Sequence, residues 1–177
     1  MPGYVIADVT VNDPETYADY RALTPGSIAA FDGRFLVRGG EHEVIAGGWT
    51  PGRLVLLEFD SLAQTTAWYD SPAYVEARAI RQRASTSNMV MVEGDSPAEG
   101  AGSVYAIVRH GDDGSGLGLS QVGRVLVAGR APEVKEGVWP GARVTVIEFA
   151  DRAAATAWRE ALDIVRSGSQ AVLVEGA

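Results

Sequence analysis

Three side chains of one predicted helix could bind and protonate an anionic ligand. Tyr74, Arg78 and Arg81 are spaced by four and by three residues, so they share one stripe of a helix. A phenol donates a hydrogen bond or a proton, and a guanidinium group binds a carboxylate or an enolate. The simpler alternative is that the arginines remain solvated near the helix C-terminus while Tyr74 packs in the core.

Two residues are candidates for a general base. Arg34 opens one predicted strand and Glu58 ends the next, so an antiparallel hairpin would join them as a cross-strand ion pair. A buried glutamate held by an arginine can also act as an acid or a base. His42 lies in the connecting loop, where an imidazole could act as a base or a heme ligand, although an ordinary surface histidine is the simpler interpretation.

The candidate site residues form two groups. The catalytic candidates are Glu58, His42, Tyr69 and Tyr74. The substrate-binding candidates are Arg34, Arg38, Trp68, Arg78 and Arg81. In this scheme Glu58 or His42 is the base, and a tyrosine is the acid or the oxyanion donor.

The residue types exclude several kinds of chemistry. The sequence contains no cysteine, so it forms no disulfide, thiolate nucleophile or Cys-ligated metal site. Its two histidines, His42 and His110, show none of the spacings typical of metal ligands, and we expect no metal and no cofactor. Residues 114–118 are glycine-rich like a phosphate-binding loop, but two aspartates precede them and no Lys-Ser or Lys-Thr follows, so we interpret them as a shortened connection.

Charge and hydropathy limit the partners. The 177 residues carry a formal net charge of −8, which opposes binding to nucleic acid. The apolar runs are far shorter than the roughly 20 residues that cross a membrane, and the N-terminus does not resemble a signal peptide. We therefore expect a cytoplasmic protein with a small-molecule ligand, in which leftover sheet edges could pair two chains as a homodimer.

The sequence contains an internal repeat. Shifting the chain by 90 residues aligns residues 33–71 with residues 123–161 without a gap, and all four tryptophans fall in register. The segment between the copies is rich in glycine, proline, serine and aspartate, which is typical of a linker. We predict a complete unit at residues 1–94, a linker at 95–102 and an abbreviated unit at 103–177.

The first copy has a readable order of elements. Asp13 is suited to cap a helix that follows the first strand, and Ser61 with Gln64 forms a capping box for a later one. The predicted order is strand 4–11, helix from 14, strands 33–38 and 54–59 joined by a glycine-rich hairpin, helix 62–68, helical segment 72–83 and strand 88–93. This is the βαββαβ order of a ferredoxin-like unit.

Two such units in one chain can cover each other. A ferredoxin-like sheet has helices on one face only, so we expect an α+β protein whose two sheets close face to face as an intrachain dimeric α/β-barrel, or pseudo-dimer. Strand alternation places Arg34, Leu36 and Arg38 on one face, and Tyr4, Ile6 and Asp8 on one face of the first strand. Those faces are expected to line a cavity between the sheets.

Several short motifs of the first copy resemble a known family. They are Gly3–Ala7, Asp13-Pro14-Glu15 with Tyr17 and Tyr20, Gly33-Arg34, Glu58-Phe59, and Trp68-Tyr69 with Ser71-Pro72, Tyr74, Arg78 and Arg81. This pattern is similar to domain-of-unknown-function family 1330. The resemblance implies the dimeric α/β-barrel superfamily, which contains cofactor-independent monooxygenases, small isomerases, decarboxylases, cyclases and heme enzymes. It implies no particular reaction, because one fold hosts many functions.

These observations lead to one functional hypothesis and two alternatives. The leading hypothesis is a cofactor-independent isomerase, cyclase or monooxygenase of secondary metabolism, acting on an aromatic or polyketide-like, possibly acidic metabolite in a cavity between the sheets. The alternatives are a binding protein that does not catalyse, and an assembly module without a ligand. Convergent titratable groups in the cavity would favour the enzyme, whereas a filled interface would favour assembly.

Overall fold

The protein is built from two five-stranded antiparallel sheets. The computed structural model describes residues 1–100, 103–111, 123–161 and 168–177, and within them it contains four helices. The first half consists of β1 (Gly3–Val11), α1 (Pro14–Ala29), β2 (Arg34–Arg38), β3 (His42–Ala46), β4 (Arg53–Phe59), α2 (Leu62–Tyr69), α3 (Pro72–Ala84) and β5 (Ser85–Glu93). The second half consists of β6 (Val104–His110), β7 (Arg124–Arg130), β8 (Glu133–Glu136), β9 (Arg143–Phe149), α4 (Arg152–Ala161) and β10 (Gln170–Glu175).

The predicted helix starts are confirmed by their caps. The Asp13 side chain accepts a hydrogen bond from the Thr16 backbone amide at 3.1 Å, and Pro14 occupies the first turn of α1. The Ser61 hydroxyl accepts from the Gln64 amide at 3.2 Å at the start of α2. Ser71 caps α3 in the same way, and this start turns the buried positions of α3 toward the first sheet.

The two halves exchange a strand. The first sheet has the order β2-β4-β1-β5-β8 and the second has the order β3-β10-β6-β9-β7. The hairpin of each half therefore leaves one strand in its own sheet and places the next strand at the edge of the other sheet. β3 pairs with β10 and β8 pairs with β5. The predicted glycine-rich connection of the first half thus contains an additional strand, and β5 begins three residues earlier than the prediction.

The space between the sheets is a packed core. Leu54, Leu56, Val144 and Val146 are fully buried there together with Trp49 and other side chains from the inner faces of both sheets. Face-to-face sheets of this kind interdigitate their side chains through a layer about 10 Å thick. In the described part of the chain, large apolar residues from both copies therefore fill the middle of the space where a ligand cavity is expected.

A bulge in β2 changes the predicted faces. Arg34 pairs with Glu58 and Arg38 pairs with Val55, but the register shifts between Phe35 and Val37. An extra residue reverses the alternation of the strand beyond it. Arg34 therefore lies on the side of the second sheet, whereas Arg38 lies on the helix side, and the prediction that they share a face is wrong.

Two further expectations concern segments outside the description. The predicted shortening of the first helix of the second copy falls on residues 111–122, of which the structure describes only residue 111. The predicted shortening of its last helix falls partly on residues 162–167, which are also outside the described ranges. None of the described helices is long and apolar enough to cross a membrane. The division at residues 94 and 103 stays a prediction.

Candidate functional site

A small pocket lies between the outer face of the first sheet and helices α1 and α3. Its volume is about 30 Å³. The wall contributed by the sheet is apolar and includes Val5, Ala7 and Met89. Exposed Arg21 and Arg38, with half-buried Arg53, line its solvent side. No aspartate, glutamate or histidine of the described chain lines this pocket.

Tyr74 brings a hydroxyl group to the inner end of the pocket. Its side chain is fully buried, its ring lies 3.9 Å from the Trp68 ring between centroids, and its hydroxyl makes no hydrogen bond within the described residues. Burial raises the pKa of the Tyr74 hydroxyl well above its usual value, with the neighbouring Tyr20 acting in the same direction. At neutral pH Tyr74 is therefore a neutral donor, with Tyr20 beside its hydroxyl.

Arg81 provides a buried positive charge beside Tyr74. The residue is 1% exposed, and its guanidinium donates to the two carboxylate oxygens of Glu136 at 3.0 and 2.5 Å and to the Ser87 hydroxyl at 2.5 Å. Burial works against this charge, but the hydrogen bonds and the charge of Glu136 oppose that effect, and the pKa of Arg81 is raised. Arg81 Nε is buried without a partner in the described chain.

The carboxylate that holds Arg81 comes from the other half of the chain. Glu136 ends β8, the exchanged strand that pairs with β5 of the first sheet. Burial alone would raise the pKa of Glu136, but its hydrogen bonds with Arg81 outweigh that effect and lower it. The pocket of the first half therefore depends on a side chain of the second.

Tyr69 and Arg78 belong to this ion pair rather than to the pocket. The Tyr69 hydroxyl donates to Glu136 at 2.8 Å, and the Arg78 guanidinium lies 4.2 Å from the centre of the Tyr69 ring. Neither residue lines the pocket. Burial, followed by the hydrogen bond to Glu136, raises the pKa of Tyr69 to about 12. Tyr69 and Arg78 therefore stabilise the Arg81–Glu136 pair from a position outside the pocket.

Glu58 lies on the opposite face of the sheet, where it holds the linker. Its carboxylate accepts from the Tyr4 hydroxyl at 2.7 Å, from Arg34 at 2.8 and 3.1 Å and from the Ala98 amide at 2.7 Å. The predicted ion pair with Arg34 is present. Glu148 occupies the equivalent position in the second half and accepts from the linker amides of residues 99 and 100 at 2.8 Å each. Glu58 and Glu148 therefore both have a structural role, in which their carboxylates hold the linker.

The predicted residues thus separate into two sets. Those that line the pocket are Arg38, Trp68, Tyr74 and Arg81. Those placed elsewhere are Glu58, Arg34, Tyr69, Arg78 and His42, which is exposed on β3 in the second sheet. Neither histidine of the chain lines the pocket, so it offers no imidazole to a heme iron. The described residues also contain no group of three or more histidines and carboxylates that could hold a metal ion.

Sequence reasoning missed three residues that matter to this pocket. Arg21 and Arg53 are single charged residues in otherwise ordinary elements, and only their placement at the pocket reveals a role. Glu136 could have been noticed because its repeat counterpart is Ala46, so the carboxylate is present in one copy only. The pairing of Glu136 with Arg81 could not have been predicted, because the strand exchange is not visible in the sequence.

A family model decides where the chain belongs. The model described as "Domain of unknown function (DUF1330)" matches residues 2–95 and 119–166. The chain belongs to the DUF1330 family. The matched segments cover the first half of this DUF1330 protein almost completely and the central part of the second. Among curated proteins, none matches the sequence.

The chain is similar to several solved structures. A mutant chlorite dismutase from Candidatus Nitrospira defluvii, solved in complex with cyanide, is 10% identical, with a TM-score of 0.56 over 99% of this chain and 90% of that one. An anthrone oxidase-like protein is 13% identical, with a TM-score of 0.47 over 99% and 91%. A protein of unknown function from Rhodopseudomonas palustris is 21% identical, with a TM-score of 0.46 over 54% and 84%. The DUF1330 protein therefore has the dimeric α/β-barrel fold, here formed within one chain.

Proposed function

We propose that this DUF1330 protein is a cofactor-independent enzyme that acts on an aromatic or polyketide-like acid in the pocket under α1 and α3. The observation that carries the proposal is the buried Tyr74 hydroxyl, which has no hydrogen-bond partner in the described chain and lies beside the charged Arg81. Buried polar groups without partners are rare in folded proteins, and a catalytic role is one explanation for them.

The charge around the pocket selects an anion. The protein carries a net charge of −8, yet Arg21, Arg38 and Arg53 line the solvent side of the pocket and no described carboxylate does. A cleft lined by one sign of charge raises the local concentration of the opposite ion. The apolar and aromatic walls suit the body of a planar ligand, and the arginines suit its carboxylate.

Tyr74 and Arg81 can stabilise an oxyanion. A hydroxyl donor and a fixed cation aimed at a developing enolate lower the energy of the enolate without having to reorganise. Such electrostatic stabilisation is usually the largest single contribution to catalysis. Isomerisation and cyclisation rearrange one substrate and consume no oxidant. In these reactions the pair stabilises the enolate, while the proton that the substrate loses goes to water or to a basic group of the substrate itself. A monooxygenation would in addition use dioxygen.

The pocket must open to take such a substrate. A cavity of about 30 Å³ holds one or two water molecules. α1 covers the pocket, and it carries an internal proline, Pro25, which removes a backbone hydrogen bond. We therefore expect α1 to move outward when the ligand enters.

One observation favours a protein that binds without catalysing. A general base is normally a histidine or a carboxylate within hydrogen-bond reach of the proton that it removes. The pocket has neither among the described residues. The alternative is then a binding protein for the same class of acid. The packed core between the sheets fits the assembly alternative, but it leaves the Tyr74 hydroxyl unexplained.

The experiment separates these outcomes. Purified protein is screened by thermal shift and native mass spectrometry against aromatic and polyketide-like carboxylic acids, and by mass-spectrometric product analysis without added metal or cofactor. Tyr74→Phe removes only the hydroxyl and Arg38→Gln removes one arginine of the pocket entrance. Arg34→Gln is the matched control, because it lies on the same strand but on the other face.

Each result has one interpretation. Conversion that falls at least about tenfold in Tyr74→Phe supports the enzyme, since a lost hydrogen bond to a charged group costs about 1.5–3 kcal/mol. Binding without conversion, weakened by Arg38→Gln but not by Arg34→Gln, supports the binding protein. No binding of any acid refutes both proposals. A cytoplasmic location, and pairing of chains through the edge strands β2, β3, β7 and β8, stay predictions.

A further inference from the structure

A second cluster of polar side chains lies at the end of the barrel opposite the linker. The repeat relates β1 to β6, because Tyr4 and Tyr105 each lie opposite the glutamate of their own half, Glu58 and Glu148. Four residues further along these strands, Asp8 in the first half corresponds to Arg109 in the second. Two equivalent positions of the repeat therefore carry opposite charges.

In the first half this position accepts hydrogen bonds. The Asp8 carboxylate accepts from the Trp49 indole Nε1 at 2.9 Å and from the Gly52 backbone amide at 2.8 Å. Both carboxylate oxygens are used by these contacts. The surroundings of this position thus supply hydrogen-bond donors, and a carboxylate satisfies them.

In the second half the donors are kept but the acceptor is absent from the described residues. Trp139 corresponds to Trp49, and its Nε1 is buried without a partner. Arg109 replaces the carboxylate with a further donor, and its own Nε is also buried without a partner. The amide of Ala142, which corresponds to Gly52, donates instead to the His110 carbonyl at 3.1 Å.

Arg109 is a buried cation without an ion-pair partner among the described residues, and the Asp8 carboxylate acts on its charge without contacting it as an ion pair. It is 6% exposed, and its guanidinium lies 3.8 Å from the Trp49 ring centre and 5.3 Å from that of Trp139. Its hydrogen bond goes to the neutral Gln170 side chain at 2.7 Å, and no ion pair joins it to a carboxylate in the described ranges. Burial lowers the pKa of Arg109 to about 10, although the charge of Asp8 partly opposes this.

A cleft gives this cation access to solvent. Its volume is about 220 Å³, and its described lining includes Arg109, Gln170, Pro140 and Gly141 but no aspartate or glutamate. A buried charge without an ion-pair partner is costly, so an anion that enters the cleft gains the Coulomb attraction of Arg109 and a hydrogen bond from its guanidinium.

We propose that the cleft at Arg109 binds a small carboxylate, which takes the place that the Asp8 side chain has in the other half. The carboxylate oxygens accept from Arg109, whose guanidinium lies 5.3 Å from the centre of the Trp139 ring. This site belongs to the second sheet and is separate from the pocket under α1 and α3, so it does not depend on the function proposed for that pocket.

The test follows the indole N–H signals of the four tryptophans by two-dimensional NMR while sodium acetate is added. Trp139→Phe assigns its signal. Acetate is expected to shift the Trp139 signal with saturation, whereas the signals of Trp68 and Trp158, which pack on the helix sides of the two sheets, stay in place. Sodium chloride at equal ionic strength is the control for a general salt effect, and sodium phosphate tests the class of anion.

Charge variants complete the test. Arg109→Gln should weaken acetate binding at least about tenfold, as expected for the loss of a charged hydrogen-bond partner. Arg83→Gln removes the same charge from an exposed position of α3 and should leave binding unchanged. If Arg109→Gln loses the native spectrum, Arg109→Lys keeps the charge but not the geometry of the donors and should still weaken binding.

Three results would overturn the proposal. The first is a Trp139 signal that moves linearly and equally in acetate and chloride, because water would then satisfy the donors. The second is acetate binding that survives unchanged in Arg109→Gln, or in Arg109→Lys where Arg109→Gln does not fold. The third is tighter binding of phosphate than of acetate, which contradicts the assignment to a carboxylate.

Discussion

Replacing Glu136 by glutamine should destabilise the fold strongly, even though this side chain is on an edge strand. Arg81 is 1% exposed and Glu136 is 13% exposed, measured on their side chains, and two hydrogen bonds join them. Breaking a buried pair from one side leaves the other charge uncompensated and costs about 3–5 kcal/mol. Because Glu136 keeps some solvent contact, we expect about 3 kcal/mol, a large part of the roughly 5–15 kcal/mol that stabilises a typical domain.

The assay is urea unfolding followed by tryptophan fluorescence and circular dichroism, arranged as a double-mutant cycle. Glu136→Gln, Arg81→Met and the double variant are compared with the wild type. The double variant should be more stable than Glu136→Gln alone, since an apolar replacement of both partners leaves no buried charge. Glu133→Gln is the matched control on the same strand. Its side chain is 58% exposed and pairs only with Lys135, so it should cost less than about 0.5 kcal/mol.

The same pair predicts a pH dependence. The pKa of Glu136 is lower in the folded protein than in the unfolded chain. Its contribution is therefore present above the unfolded pKa and is lost as the pH falls through the folded pKa. Glu136→Gln should flatten this acid limb. A Glu136→Gln variant within about 1 kcal/mol of the wild type, or a double variant less stable than both single ones, would refute the reasoning.

Three further predictions concern the linker, the tyrosines and the pocket. Glu148→Ala should speed proteolysis within residues 95–100, measured by mass spectrometry of the cleavage products, because two linker amides lose their acceptor. Absorbance at 295 nm should show that Tyr69 and Tyr74 stay protonated near pH 11 in the folded protein but ionise in urea, since their pKa values are raised by burial. Ala7→Val adds two methyl groups to the pocket wall and should block binding of an aromatic acid in a thermal-shift assay, at a cost of about 1–3 kcal/mol in stability.

Helix starts could be predicted because their capping contacts join residues close in sequence. The repeat could be predicted because it is an alignment of the sequence with itself. Ser61 and Ser71 cap their helices through residues three positions away, so a single sequence contains the whole interaction. The strand β3 could not be predicted in this way. His42 lies opposite Val174 in the second sheet, so a partner more than 100 residues away completes this strand.

The candidate site was predictable in part for the same reason. Tyr74 and Arg81 lie on one helix, and their spacing alone indicates a common face. Arg38 lines the pocket only because a bulge between it and Arg34 changes the face of the sheet on which the later side chains lie. The alternation of residues in a sequence does not show where a bulge inserts an extra residue. Glu136 reaches Arg81 only through the exchange of strands between the halves.

Fusion of two copies allows a difference that a symmetric dimer cannot have. In a dimer of identical chains, every contribution of an exchanged strand occurs twice. Here β8 brings Glu136 to the first sheet, whereas β3 brings Ala46, at the equivalent position, to the second. The carboxylates that both copies retain, Glu58 and Glu148, hold the linker, while the charges that differ between copies lie at the two candidate sites. The charges that differ between the copies can therefore change without loss of the contacts that hold the linker.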